Sequence, residues 1–362
     1  MKQWPAWLPL RQNLQELSPY GAPQLPAEAV MNTNENPYPP SPALAKAIAD
    51  RISEVALTLN RYPDRDATVL RSKLAQFING LSGTDCDLNN IWAANGSNEI
   101  IQSLFMAFGG GAALGFTPSY SMHPLIAKVT QVQWINGKRR DDFSLDVDSA
   151  IAQIQREKPH LTFITTPNNP TGSSVTIAEI EKIAKATSGL LIIDEAYAEF
   201  SDEESAVTLI KRYPHVVVIR TMSKAFAFAG VRLGYLVADP AVIDAMFLVR
   251  LPYHLSALTQ AAAEVALDFK DELLGTVAQL RTDRDRVAAQ LTDLGLTVIP
   301  SASNFLLFSG FAMPSEQLWR AMLDRGVLIR DVGLLGYLRV TIGNEAENTK
   351  FISTLSACLG EK

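Results

Sequence analysis

The sequence predicts an α/β fold: a mostly parallel central sheet covered by helices, with a smaller α/β domain beside it. Three observations lead there. Short aliphatic and β-branched runs, among them Leu161–Thr165, Leu190–Ile193 and Val216–Arg220, alternate with helix-length stretches, the pattern of parallel strands joined by helical crossovers. Asn169, Asp194, Tyr197 and Lys224 each fall just past the end of such a run, where sheets of this kind gather ligands. The length, 362 residues, suits about two domains. The expected division is a large domain over 45–255 and a small one made of 256–362, with the segment 1–44 packed against it.

Residues 1 to about 44 are rich in proline and asparagine, including Ser18-Pro19-Tyr20-Gly21 and Asn32-Thr33-Asn34-Glu35-Asn36-Pro37. Each proline restricts itself and its predecessor, so this segment runs extended or turns repeatedly. It reads either as a leader or as a lid whose asparagines offer hydrogen bonds from a stiff backbone. Helices are predicted over 41–58 and 67–79, the second through Val69, Leu70, Leu74 and Phe77, with a turn at Asn60–Asp64 between them. Ile91–Ala93 is a short strand, followed by Gly96, Ser97 and Asn98 and an apolar helical run to Phe108. A glycine, an N-cap residue and a helix aim free N–H groups and the positive dipole end at an anion. Ser97 and Asn98 are therefore candidate phosphate ligands as well as ordinary caps. Gly109–Gly111 follow a helix and precede the strand Ala113–Phe116, the reverse of a dinucleotide fingerprint, and read as a C-cap and turn. Tyr120, just beyond that strand, is placed to pack or to stack on a flat ligand.

Further strands are predicted at Gln133–Ile135 and Leu233–Ala238, and Thr176 with Glu179 forms a capping box ahead of Ile180, Ile183 and Ala184. Past Leu251-Pro252-Tyr253-His254 the chain turns helical to about Asp268 and beyond, with another helix from Arg281 to Gly295. Strands at 304–308 and 337–342 and a last helix near 346–358 complete the smaller domain.

Composition narrows the function. A net charge of −6, a pI near 5.4 and no basic block argue against a nucleic-acid or anionic-membrane partner. No stretch approaches the roughly 20 apolar residues of a membrane span, and prolines with Arg11 interrupt any signal-peptide core. Cys86 and Cys358, far apart, suggest neither a disulfide framework nor a metal site, so a reducing cytoplasm is the expected setting. His123, His160, His215 and His254 lack ligand spacing and are expected to be structural or surface residues.

The chemistry converges on Thr221–Gly234. Lys224 follows the strand, Thr221 and Ser223 precede it, and Arg232 comes eight residues later. Hydroxyls, an amine and a fixed cation together suit a phosphate beside a reactive lysine. A lysine alone would read as surface charge, but two motifs accompany this one: Thr166-Pro167-Asn168-Asn169-Pro170-Thr171-Gly172 and Ile192-Ile193-Asp194-Glu195-Ala196-Tyr197. With these residues the chain resembles the aspartate-aminotransferase superfamily of pyridoxal-phosphate (PLP) enzymes, fold type I, and within it the histidinol-phosphate aminotransferase family. The resemblance runs from Tyr20 to Thr341.

That resemblance implies PLP held as a Schiff base on Lys224, which then moves the proton between substrate and cofactor carbons. It implies Asp194 on the pyridine nitrogen, Tyr197 and Asn169 on the ring's phenolic oxygen, and Tyr120 over the ring, with Ser97, Asn98, Thr221, Ser223 and Arg232 completing the cofactor site. It implies a homodimer in which Tyr62, of Arg61-Tyr62-Pro63, reaches the cofactor phosphate of the neighbouring subunit. The N-terminal segment would close over the substrate with Tyr20 and Asn36. One departure stands out: many family members carry aspartate where this chain has Asn98.

Arg330 and Arg339 lie nine positions apart among aliphatic and β-branched neighbours. An arginine there is costly unless it meets an anion, and its fork matches carboxylate or phosphate; single surface salt bridges are the alternative. The resemblance implies that the pair takes the substrate phosphate and, in the other half-reaction, the carboxylate of glutamate, so that L-histidinol phosphate and 2-oxoglutarate are the substrates. Aromatic amino-acid aminotransferases and threonine-phosphate decarboxylases share the same skeleton. A fold kept as a binding module without turnover is the remaining class, disfavoured by the presence of both Lys224 and Asp194.

Overall fold

The run Val216-Val217-Val218-Ile219 is too short and too β-branched for a helix, and it forms a strand buried along its whole length. The structure, a computed structural model, describes residues 4–360; the first three residues of the N-terminal stretch lie outside them. Twelve strands occur among the described residues: β1 (Ala29–Val30), β2 (Ile91–Ala94), β3 (Ala113–Thr117), β4 (Trp134–Lys138), β5 (Leu161–Thr165), β6 (Leu190–Asp194), β7 (Val216–Thr221), β8 (Gly234–Val237), β9 (Thr297–Val298), β10 (Phe305–Ser309), β11 (Val327–Leu328) and β12 (Leu338–Thr341).

Seven of them make one sheet in the order β2-β8-β7-β6-β5-β3-β4. Only β8 runs against its neighbours, so the sheet is mostly parallel, as expected. Register then decides what meets at its edge. Thr165 pairs with Asp194, Asp194 with Ile219, and Thr221 with Gly234, which also faces Ala94. Residues from five separate strands thus end at one rim.

Alternation along each strand sends side chains to two cores. Trp92, Phe163, Ile192, Val217 and Ile219 pack with Ile100, Leu104 and Met246 on one face. Ala93, Ile164, Ile193, Val216 and Val218 pack with Ile180, Ile183 and Leu74 on the other. Each such aliphatic side chain contributes roughly 1.5–3 kcal/mol on burial.

The helices begin where the sequence supplies caps. Ser41 accepts from Leu44 N ahead of Pro42–Ala56, and Thr176 and Glu179 form the reciprocal box at Ile177–Ala186. The helix expected from Arg281 instead starts eleven residues earlier and runs Lys270–Asp293. Gly275 lies inside it, but a single glycine costs only about 1 kcal/mol, and Leu273, Val277 and Leu280, all buried, keep one face against the core.

Strands β9, β10 and β12 form a second, antiparallel sheet, and β1 pairs in parallel with β11. The N-terminal segment therefore packs with the smaller unit, with a further hydrogen bond from Thr341 N to Met31 O. Its earlier part is anchored elsewhere: Arg11 and Asn13 donate to Val129 O and Lys128 O at the end of the helix Met122–Thr130. The helix Ala257–Asp268 packs against Pro42–Ala56 and Thr68–Ser82. No helix among the described residues is long and apolar enough to cross a membrane.

Candidate active site

The rim of the large sheet opens into a cavity of about 670 Å³. Lys224, Asp194, Tyr197, Asn169, Tyr120, Ser97, Asn98, Thr221, Ser223 and Arg232 all line it, together with Tyr20, Arg330 and Arg339.

At its centre Lys224 Nζ donates to Thr33 O at 2.9 Å. Poor solvation, reinforced by the cation of Arg339, holds the amine well below the usual lysine range, at about 8. A lysine so placed is partly neutral near physiological pH and able to attack a carbonyl carbon.

Asp194 ends β6 and is almost fully buried. His123 Nε2 lies 3.0 Å from Asp194 Oδ2, with only 2% of the imidazole side chain exposed. An ionised carboxylate only accepts, so Nε2 carries the proton and holds the carboxylate in place. His123, expected with the other histidines to be a structural or surface residue, is thus buried and structural, and what it holds is Asp194, which lines the cavity. Tyr120, just ahead of the N-cap Ser121 of Met122–Thr130, meets the His123 ring edge to face at 5.4 Å. Tyr120 in turn donates to Asn98 Oδ1 at 3.1 Å.

The phosphate end is built around a helix N-terminus. The cap of Ser97–Phe108 is Gly96 and no side chain caps it, so Ser97, expected as the cap, is instead the first helical residue. Close approach explains two glycines. A Cβ on Gly234 would stand 2.6 Å from Ser97 N, and one on Gly96, at φ +82°, would stand 2.7 Å from Arg232 Nη2. Arg232 itself adopts a left-handed φ of 60°, costly for a residue with a Cβ, and its Nη1 donates to Ala229 O at 2.9 Å and Ser223 Oγ at 3.4 Å. N–H groups, the dipole, two hydroxyls and this guanidinium form an anion cradle. With a nucleophilic amine and a buried carboxylate beside it, the set fits a flat phosphorylated aldehyde such as PLP.

Opposite Lys224, Arg339 is 7% exposed. Its Nη1 donates to Asn169 Oδ1 at 2.6 Å and its Nη2 to Asn32 O at 2.8 Å, while Nε finds no partner. Burial lowers its pKa to about 10. Arg330 exchanges both backbone hydrogen bonds with Arg339, at 2.9 Å each. The alternative of a surface salt bridge does not hold for Arg339 among the described residues, which leaves a buried guanidinium facing the cavity with only neutral partners.

Two expected residues are not part of this lining. Asn36 spends its amide on Ala225 O and Thr276 Oγ1, at 3.3 and 3.0 Å, and its Oδ1 on Tyr38 N; its role here is to hold the N-terminal segment, and its place at the cavity is taken by Asn32, Thr33 and Asn34. Tyr62 is 79% exposed and stacks on Tyr253 with ring centroids 4.4 Å apart.

Fold and site together define the class: an α/β transferase centred on a lysine and built for a phosphorylated carbonyl cofactor. The sequence profile of the family "Aminotransferase class I and II" matches residues 29–355. The chain is 57% identical over 348 residues to the histidinol-phosphate aminotransferase of Nocardia farcinica, covering 95% of this chain and 90% of that one. It is 56% identical over 358 residues to that of Mycobacterium sp. strain JLS, with 98% and 94% covered. The crystal structure of histidinol-phosphate aminotransferase from Sinorhizobium meliloti in complex with pyridoxal-5'-phosphate superposes with a TM-score of 0.85 at 25% identity, with 98% of each chain covered. The chain belongs to the class I and II aminotransferases, and within them to the histidinol-phosphate aminotransferase family.

Proposed function

We propose that the protein transfers an amino group between L-histidinol phosphate and 2-oxoglutarate, giving imidazole acetol phosphate and glutamate, a step of histidine biosynthesis, with PLP bound through Lys224. The observation that carries this reading is the buried Arg339 beside Arg330, which faces Lys224's cavity with no carboxylate partner among the described residues. A buried cation left in this state is favourable only when an anionic ligand completes it.

When bound, PLP supplies an electron sink for the pair left behind as the substrate carbon loses its proton. The chain's own residues do the rest. Lys224 Nζ takes and returns that proton. Asp194, pinned by His123, would hold a proton on the ring nitrogen. Ser97, Asn98, Thr221, Ser223 and Arg232 would anchor the phosphate, Tyr120 would cover the ring, and Tyr197 with Asn169 would bind its oxygen. Arg330 and Arg339 seize the anionic end of each substrate in turn, and the N-terminal segment with Tyr20 excludes water.

The same reading makes the protein a homodimer in the cytoplasm, with Tyr62 completing the neighbour's phosphate site. The exposure of the apolar side chains Tyr62, Leu248 and Leu251, by 79, 86 and 74%, supports it. Mixing a Lys224→Ala with a Tyr62→Ala variant tests it: regained turnover in the mixture supports shared sites, and none refutes them.

The substrate is tested with the PLP-loaded protein and excess L-histidinol phosphate without keto acid, following the absorbance for conversion to pyridoxamine phosphate. Rapid conversion, much slower with phenylalanine, is expected. Conversion by phenylalanine alone would make this an aromatic aminotransferase.

A further inference from the structure

The N-terminal segment carries a buried asparagine that the motifs did not single out. Asn34 is 1% exposed at φ 57°, a left-handed conformation that asparagine tolerates better than most residues. It joins three parts of the fold. Its Nδ2 donates to Tyr197 Oη at 2.9 Å, and its carbonyl accepts from Asn304 Nδ2 at 3.1 Å. Its backbone N donates to Thr341 Oγ1 at 2.9 Å, and Thr341 Oγ1 donates back to Asn34 Oδ1 at 3.0 Å.

These partners fix the amide. A backbone N–H only donates, so the Thr341 hydroxyl accepts it and has its own proton left for Oδ1, which turns Nδ2 toward Tyr197. Asn169 is fixed more firmly: its Oδ1 accepts from the Arg339 guanidinium, which only donates, so its Nδ2 faces Tyr197 Oη at 3.4 Å. The Tyr197 oxygen has two lone pairs, and both are taken by amide donors. Its one proton has no acceptor among the described residues, and the residue lines the cavity.

We propose that Asn34 is a positioning residue that, with Asn169, makes Tyr197 a hydrogen-bond donor into the cavity, toward an anionic oxygen of the bound cofactor. The proposal rests on the PLP reading above. A donor there draws negative charge away from the oxygen and so loosens the proton on the adjacent lysine-bound nitrogen. Without Asn34 one lone pair of Tyr197 is freed, the hydroxyl can turn away, and that proton persists to higher pH.

The test is the pH midpoint of the visible absorbance of the PLP-loaded protein without substrate. Asn34→Gly, which accepts the left-handed φ, is expected to raise the midpoint by about half to one pH unit, and to have no such effect in a Tyr197→Phe background. Should the glycine variant fail to fold, Asn34→Asp keeps the shape and φ preference while its carboxylate accepts the Tyr197 proton, and it is expected to raise the midpoint as well. An unchanged midpoint, or an equal shift with and without the Tyr197 hydroxyl, overturns the proposal. A parent protein that takes up PLP but shows no response to Asn34 leaves the functional reading intact; a parent that takes up none overturns both.

Discussion

His123 Nε2 lies 3.0 Å from Asp194 Oδ2, and both side chains are buried to within 3% of complete. That contact fixes where the carboxylate sits at the rim of the sheet, with almost no water around it. His123→Leu should weaken PLP binding by about tenfold to a hundredfold, the loss of one hydrogen bond to a charged group, whereas His123→Gln, which keeps an N–H near the same point, should lose far less. Equilibrium titration of the ligand-free variants with PLP measures both. Asp194→Ala gives the upper bound, with turnover falling by about a thousandfold and the melting temperature much less affected.

Arg339 predicts a different signature. Arg339→Lys keeps the charge but loses the fork, and kcat/KM should fall for both the phosphate-bearing and the carboxylate-bearing substrate, by about tenfold to a hundredfold each. Steady-state kinetics on the two half-reactions decide it; a loss confined to one substrate would assign the other to Arg330.

Lys224 gives a pH dependence. Its amine is pushed down to about 8 by desolvation and by Arg339, so capture of PLP by the ligand-free protein should rise about tenfold per pH unit below 8 and level off above it. The sign for stability follows. A base with a depressed folded pKa binds fewer protons folded than unfolded, so between about 8 and the ordinary 10.5 the ligand-free protein should gain stability from this group as pH rises. Stopped-flow PLP uptake and denaturant melts across pH 7–10 check the two statements.

Gly234 tests the cradle. A Cβ at Gly234 would stand 2.6 Å from Ser97 N, so Gly234→Ala must displace the helix start or the strand, at a cost of about 1–3 kcal/mol. The expected outcome is weaker binding of PLP and of free phosphate, together with a lower melting temperature, both readable by calorimetry.

Much of this was legible in one dimension. Lys224, Asp194 and Asn169 follow apolar runs whose length and β-branching define strands, and in a parallel sheet strand ends share a rim whatever the helices between them do. Arg339 was legible as a candidate anion site because a cation set among apolar strand residues is desolvated, and an anion offsets that cost best. The capping box of Thr176 and Glu179 follows from the same local preferences.

Only the tertiary structure decided which residues touch across long separations. His123 reaches Asp194 over 71 positions and Asn34 reaches Tyr197 over 163, and no periodicity encodes either contact. A histidine or an asparagine carries the same local propensity at the surface as in a site; what distinguishes these two is the partner that packing brings within 3 Å and the water that packing removes. Asn36 shows the converse, since its amide is spent on Thr276 from a helix 240 positions away. Local sequence settles backbone conformation because its energies act between neighbours in the chain. The choice of hydrogen-bond partner in a buried site belongs to neighbours in space.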